Sequence, residues 1–285
     1  MSRRARYAWI VVAVCAAGAA VVWFAARPRG DRSWIVEQRL LPEADVRGDT
    51  VRIKNVRDFE YTGRQTFTPR YSDRVHDLRK LTSVWYVLTP FSQRWRGPAH
   101  SFVSFGFSDS QFVAISVEAR REPGETYDAV KGLFRQFELM YVIGDERDLI
   151  GQRAAFDVDR VYLYPIRARP ERIREMFVSM LARANALKEK PEFYNTLTNN
   201  CTSNVVSHVN QIAPRTVPAG IKTILPGYTD EVAYGLGLIE TEVALEETRA
   251  RYLINDRARR FLRDPLFSIR IREPEPPPHH RVPSS

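Results

Sequence analysis

From Tyr7 to Ala26 the chain reads "YAWIVVAVCAAGAAVVWFAA", twenty residues without a charge, and beyond it the apolar positions fall into short alternating or helical runs. As a helix the first run would extend about 30 Å, the thickness of a bilayer core. It is long for a signal-peptide core, so residues 1–26 are expected to be a retained signal anchor that crosses the membrane over 7–26, with cleavage as the alternative. Arg3, Arg4 and Arg6 precede the run and Arg27, Arg29 and Arg32 follow it, so charge asymmetry scarcely sets the orientation. An N-inside anchor with the rest exported, in the inner membrane facing the periplasm, is the expected arrangement. Cys15 follows a β-branched Val where a lipoprotein signal wants a small residue, and is read as a membrane-buried thiol.

Residues 27–45 are polar and are read as a linker. Residues 46–265 read as one α+β domain, an antiparallel sheet packed on helices. Residues 266–285, ending in "EPEPPPHHRVPSS", are read as a proline-rich disordered tail in which His279 and His280 are solvated. Within the domain, "SVWYVLTP" (83–90), "HSFVSFGF" (100–107), "QFVAISVE" (111–118) and "VYLYPI" (161–166) have strand patterning. Helical spacing of Tyr127, Val130, Leu133, Phe134 and Phe137 predicts a helix over about 125–140. Pro170 opens a second helix with Ile173, Met176, Phe177, Met180, Leu181 and Ala184 on its apolar face, and Pro191 ends it. A helical region over about 231–263 is expected to pack across the outside.

The segment 194–209, "YNTLTNNCTSNVVSHV", contains the one cysteine outside the expected anchor. Thr198, Asn199 and Asn200 are capping residues, and Val205, Val209 and Ile212 form one stripe after them, so Cys201 is expected in the first turn of a helix. Unpaired N–H groups and the positive end of the helix dipole favour thiolate there. The alternative is a small buried hydrophobe.

A thiolate nucleophile needs a proton acceptor within reach. His208 lies seven residues further along the same helix, about 10 Å away, and is expected to be partly exposed. His76 sits in a charged stretch that reads as surface. His100 opens a strand and is the candidate base. If Ser108 to Ser110 form a three-residue loop, the residue numbers of each facing pair across the hairpin add to 218, and His100 lies opposite Glu118. One face then carries His100, Phe102, Ser104 and Gly106 with Ala114, Ser116 and Glu118, and the other is a core face of Val103, Phe105, Phe107, Val113, Ile115 and Val117. Glu118 could orient the imidazole and stabilise its charged form. An edge ion pair is the alternative, and a loop of another length would reverse the parity.

These residues resemble a known family. "AHSFVSFGFSDSQFVAISVEARREPGETY", "FELMYVIGDERDLI" and "PEFYNTLTNNCTSNV", with "DTVRIKNVRDFEYTGR" before them and "ILPGYTDEVAYGLGLIE" after, are similar to the Lnb N-terminal periplasmic domain family over about 46–245. The resemblance implies a permuted papain-like (NlpC/P60) domain in which a strand histidine precedes a helix-start cysteine. It implies lipoprotein N-acylation: an acyl chain passes from a phospholipid to Cys201 and then to the amino group of a lipoprotein, with His100 as base. Asn200, Thr202 or backbone N–H groups would position the substrate and stabilise the oxyanion. Here no further membrane segments follow the domain, a departure that bears on the acceptor more than on the thiol.

Composition adds little. Hydrophobic residues make up 44% and charged residues 27%, an ordinary globular mixture, and the net charge of +9 suits an anionic partner such as a phospholipid surface. No basic stretch with interleaved aromatics points to nucleic acid, and no HExxH or paired Cys/His spacing points to a metal, so neither metal nor cofactor is expected. Two alternatives stay open: a thiol hydrolase acting on a peptidoglycan amide or a lipid ester, and a non-catalytic membrane-anchored binding domain, which expects Cys201 and His100 out of each other's reach.

Overall fold

The structure is a computed structural model that describes residues 2–92, 94–156, 159–213 and 215–273; the side chains at 8, 16, 19 and 22–25 are also outside the described set. Of the expected tail, residues 274–285 with the two histidines lie outside the described residues, whereas Phe267 and Ile271 are buried.

A helix forms over Arg3–Ala25 (α1). Among the described residues, however, no helix is long and apolar enough to cross a membrane. The transmembrane helix expected over 7–26, and with it the single-pass inner-membrane placement, is therefore not supported.

The strands are β1 (Glu43–Arg47), β2 (Thr50–Arg57), β3 (Glu60–Tyr61), β4 (Phe67–Thr68), β5 (Tyr71–Asp77), β6 (Leu81–Pro90), β7 (Ala99–Phe107), β8 (Phe112–Arg120), β9 (Glu138–Gly144) and β10 (Tyr162–Pro165). Seven lie side by side in the order β1-β2-β9-β8-β7-β6-β10, with β5 paired to β2, and β3 and β4 form a separate small hairpin. The sheet is mixed rather than antiparallel, because β2 meets β9 in parallel through Arg57 and Gly144. Sequence periodicity carries no information about that long-range pairing.

The fold is α+β. One sheet face packs Val103, Phe105, Phe107, Val113, Ile115 and Val117 against α3 (Pro170–Glu189) and α4 (Cys201–Ile212). The other packs Phe102, Ala114, Met140 and Val142 against α2 (Gln152–Phe156) and the C-terminal turns. Every residue of β7 and β9 is buried, and burial on both faces explains why β9 reads as a nearly continuous apolar run. It also corrects the helix expected over 125–140: Glu138–Gly144 is a central strand, only a short 3-10 turn forms at Lys131–Phe134, and Val130 and Phe134 are exposed.

Further short helices follow: α5 (Ile221–Ile224), α6 (Thr229–Gly235), α7 (Leu245–Tyr252), α8 (Asn255–Phe261) and α9 (Phe267–Arg270). The long helical region expected over 231–263 is broken because the chain bridges back to the sheet edge at Ile166–Ile239 and Tyr162–Leu253. Residues 27–45, read as a linker, pack against the sheet: the N–H groups of Arg29 and Gly30 donate to the Glu138 carboxylate at 2.8 and 3.0 Å. Buried Trp34 lies under the Arg120 guanidinium, 4.2 Å from its ring centre.

Candidate active site

The β7–β8 hairpin has the register expected of a three-residue loop. The Phe107 N–H donates to Gln111 O at 2.9 Å, Ser110 takes the left-handed conformation (φ 65°), and Val103 faces Ile115, Ser104 faces Ala114 and Gly106 faces Phe112. The ladder ends at the Val103–Ile115 pair. Past that point the strands are free of mutual pairing, and the site occupies the opening.

His100 and Glu118 meet there, with His100 Nε2 3.1 Å from Glu118 Oε1. Ser116 sits between them: His100 Nε2 donates to Ser116 Oγ at 2.7 Å, and Ser116 Oγ donates to Glu118 Oε1 at 2.7 Å. Arg153, on α2, approaches the same carboxylate oxygen at 3.6 Å. The Cys201 thiol and the imidazole lie close enough for each to shift the other's protonation.

Cys201 is the first residue of α4. The Asn200 side chain accepts from the Ser203 N–H at 2.9 Å, while Ser203 Oγ accepts from the Asn200 N–H at 2.8 Å, a reciprocal capping box. The amide nitrogen of Asn200 donates to Thr196 O at 2.7 Å. Both ends of that side chain thus serve the cap and the preceding loop, leaving it poorly placed as an oxyanion donor. The Thr202 hydroxyl lies 3.8 Å from the Cys201 sulfur and 3.0 Å from Ser101 Oγ.

The electrostatics follow from these contacts. Burial alone would push the Cys201 thiol up, but the hydrogen bond and charge of His100, the Ser101 N–H and the Thr202 hydroxyl carry it below its ordinary value. Burial would lower His100, and the Glu118 charge outweighs it and raises the imidazole to about 9, against an opposing push from Arg153. Burial would raise Glu118, yet the imidazolium, Arg153 and Ser116 hold it well below the carboxylate range. Both shifts favour a thiolate–imidazolium pair, and two groups so coupled titrate together. Such a pair can attack a carbonyl carbon and can supply or take up one proton.

Two histidines are placed differently from expectation. His208 is buried, with Tyr141 OH at 2.9 Å from Nε2 and Ser179 Oγ at 2.9 Å from Nδ1. His76 is also buried, stacked on Phe107 at 4.6 Å between ring centres. Neither joins Cys201. Ser116, Ser101 and Arg153 were not singled out as site residues. Strand alternation does place Ser116 on the His100 face, whereas nothing local in the sequence points to Arg153.

No curated protein and no solved structure matches the chain. Residues 67–227, which contain β7, β8 and the capped helix start, match the model of the Lnb N-terminal periplasmic domain. The match covers more than half of the chain, and its order of strand histidine before helix-start cysteine is the one described above. The chain belongs to the Lnb N-terminal periplasmic domain family.

Proposed function

We propose that this periplasmic protein is a thiol acyltransferase that takes an acyl group from a phospholipid onto Cys201 and passes it to an amine, as in lipoprotein N-acylation. The observation that carries the reading is a buried cysteine at a capped helix start beside His100, whose imidazole is held by Ser116 and Glu118 and whose charge lowers the thiol.

In the first step the Cys201 thiolate attacks the ester carbonyl, a sulfur–carbon bond forms, and the imidazolium of His100 gives its proton to the departing alkoxide. In the second, an amine attacks the thioester, the now neutral imidazole takes the amine proton, and Cys201 leaves as thiolate. The backbone N–H at the helix start is the candidate oxyanion donor. Glu118 touches neither substrate; it positions the imidazole and favours its charged form.

Low exposure of the thiol (5%) favours transfer over hydrolysis, because water has little access to the thioester. Exposed apolar side chains on the neighbouring loops suit a lipid surface as the donor source. Phe91 and Trp95 precede His100, Leu197 precedes Cys201, and Gly227 N–H joins the first loop to the α5–α6 turn through Gly97 O at 3.1 Å. The test supplies phospholipid vesicles and a short peptide with an N-terminal cysteine, and reads N-acyl peptide against free fatty acid by mass spectrometry. Acyl peptide that depends on Cys201 supports transfer. Free fatty acid alone would make the chain a thiol hydrolase, and neither product would sink both readings.

A further inference from the structure

A cavity of about 670 Å³ opens on the α3–α4 side of the sheet, between α4 and α6. That is within the range of roughly 300–1,000 Å³ typical of small-molecule sites. One face of α4, carrying Thr202, Val206, Val209 and Ile212, forms a wall, with Val232 and Leu236 of the α6 region among the residues lining it elsewhere. From Thr202 to Ile212 that face runs about 15 Å.

Two pairs of hydroxyls lie at the Thr202 end. The Tyr86 hydroxyl is 2.5 Å from Thr229 Oγ1, Ser101 Oγ is 3.0 Å from Thr202 Oγ1, and Thr202 Oγ1 is 3.8 Å from the Cys201 sulfur. All four residues line the cavity, so the sulfur is one side chain away from it. Arg167, Arg169 and Arg172 also line it, but Glu242 and Glu175 pair with the first and last, so this edge makes little demand for a particular head group.

We propose that this cavity holds the hydrocarbon chain of the acyl group carried by Cys201, with the carbonyl beside the hydroxyls and the chain running along α4. The proposal rests on the acyl reading of the thiol and adds a site that selects long chains. An unbranched chain brings no polar group against the aliphatic walls. A peptide would bring N–H and C=O groups that those walls cannot partner. The hydroxyls, by contrast, sit where an ester or thioester oxygen would lie.

The full chain carrying Cys201→Ala, which cannot form a thioester, separates the cavity from the chemistry. Titrated with a fluorescent long-chain fatty acid, it should bind saturably, with palmitate displacing the probe and butyrate failing to do so. Val206→Trp or Ala233→Phe, added to fill the cavity, should weaken binding about tenfold or more. Absence of saturable binding, or equal displacement by butyrate and palmitate, overturns the proposal even if neither filling variant folds. So does unchanged binding in both filling variants when they are folded. Chain binding without any acyl-enzyme in the wild-type protein would overturn the acyl reading of the thiol and leave chain binding by the cavity standing. Equal thioester formation from butyryl and palmitoyl donors, in wild type and filling variants alike, would overturn the cavity and leave the chemistry standing.

Discussion

Glu118→Gln changes one charged atom and keeps the shape, so its effect reports what the carboxylate charge does for His100. Raising the imidazole from 6.5 to about 9 corresponds to roughly 3 kcal/mol in favour of imidazolium. The gross attraction across 3.1 Å is about 5 kcal/mol at an effective dielectric constant near 20, reduced by burial and by Arg153. In the amide variant the burial penalty remains and the attraction does not, so His100 should titrate below its ordinary value. Cys201 then loses the imidazolium that holds its thiolate, and acylation at neutral pH should fall about a hundredfold or more.

The wild-type pH dependence has a definite sign. His100 has a folded value above its ordinary one, so the stability it draws from Glu118 is complete below about 6.5 and is lost as pH rises through about 9. Glu118 is held below its ordinary value, so its share is present above about 4.5 and is lost as pH falls through the folded value. The assay is acyl-enzyme formation over time by intact mass, with NMR titration of the ring-labelled histidines beside it. A Glu118→Gln protein that acylates within about threefold of wild type, with His100 still titrating near 9, would refute the positioning role of the carboxylate.

Three further outcomes follow from named contacts. Asp230 is fully buried and accepts from Arg96 at 2.6 Å, Arg249 at 2.8 Å and Tyr164 OH at 3.1 Å, so Asp230→Ala should cost about 3–5 kcal/mol in urea unfolding; a loss under about 1 kcal/mol would contradict this. Asn200→Ala should cost about 1 kcal/mol through the lost cap, while Asn200→Ser should keep most of the stability and activity; inactivity of the Ser variant would return Asn200 to an oxyanion role. His76 and His208 are both held at about 4, His76 by burial and Arg74, His208 by burial and Arg183. Their contributions are full above about 6.5 and fade by up to about 3 kcal/mol each as pH falls past 4, so the urea midpoint should drop on mild acidification and His76→Phe should blunt the drop.

Much of the site could be read from the chain because its determinants are local. The Ser108–Ser110 loop sets the parity of the hairpin, and parity alone puts His100, Ser116 and Glu118 on one face. Asn200 before an amphipathic run marks where α4 begins, hence where Cys201 sits. What escaped depends on distant neighbours. The run "ELMYVIG" lacks alternation because both its faces are covered, and chance helical spacing upstream disguised the strand. His76 and His208 have polar sequence neighbours, yet Phe107 and Tyr141 bury them from other strands. Arg153 reaches Glu118 only because a π-helical turn at Arg147–Gly151 leads into α2 beside it.

The most direct test of the central claim is the covalent intermediate itself. The full chain, incubated with phospholipid vesicles, should gain the mass of one acyl group at Cys201, removable by hydroxylamine, and should gain none as Cys201→Ser or His100→Ala. An adduct that persists without Cys201, or no adduct at all with the folded protein, would contradict the account.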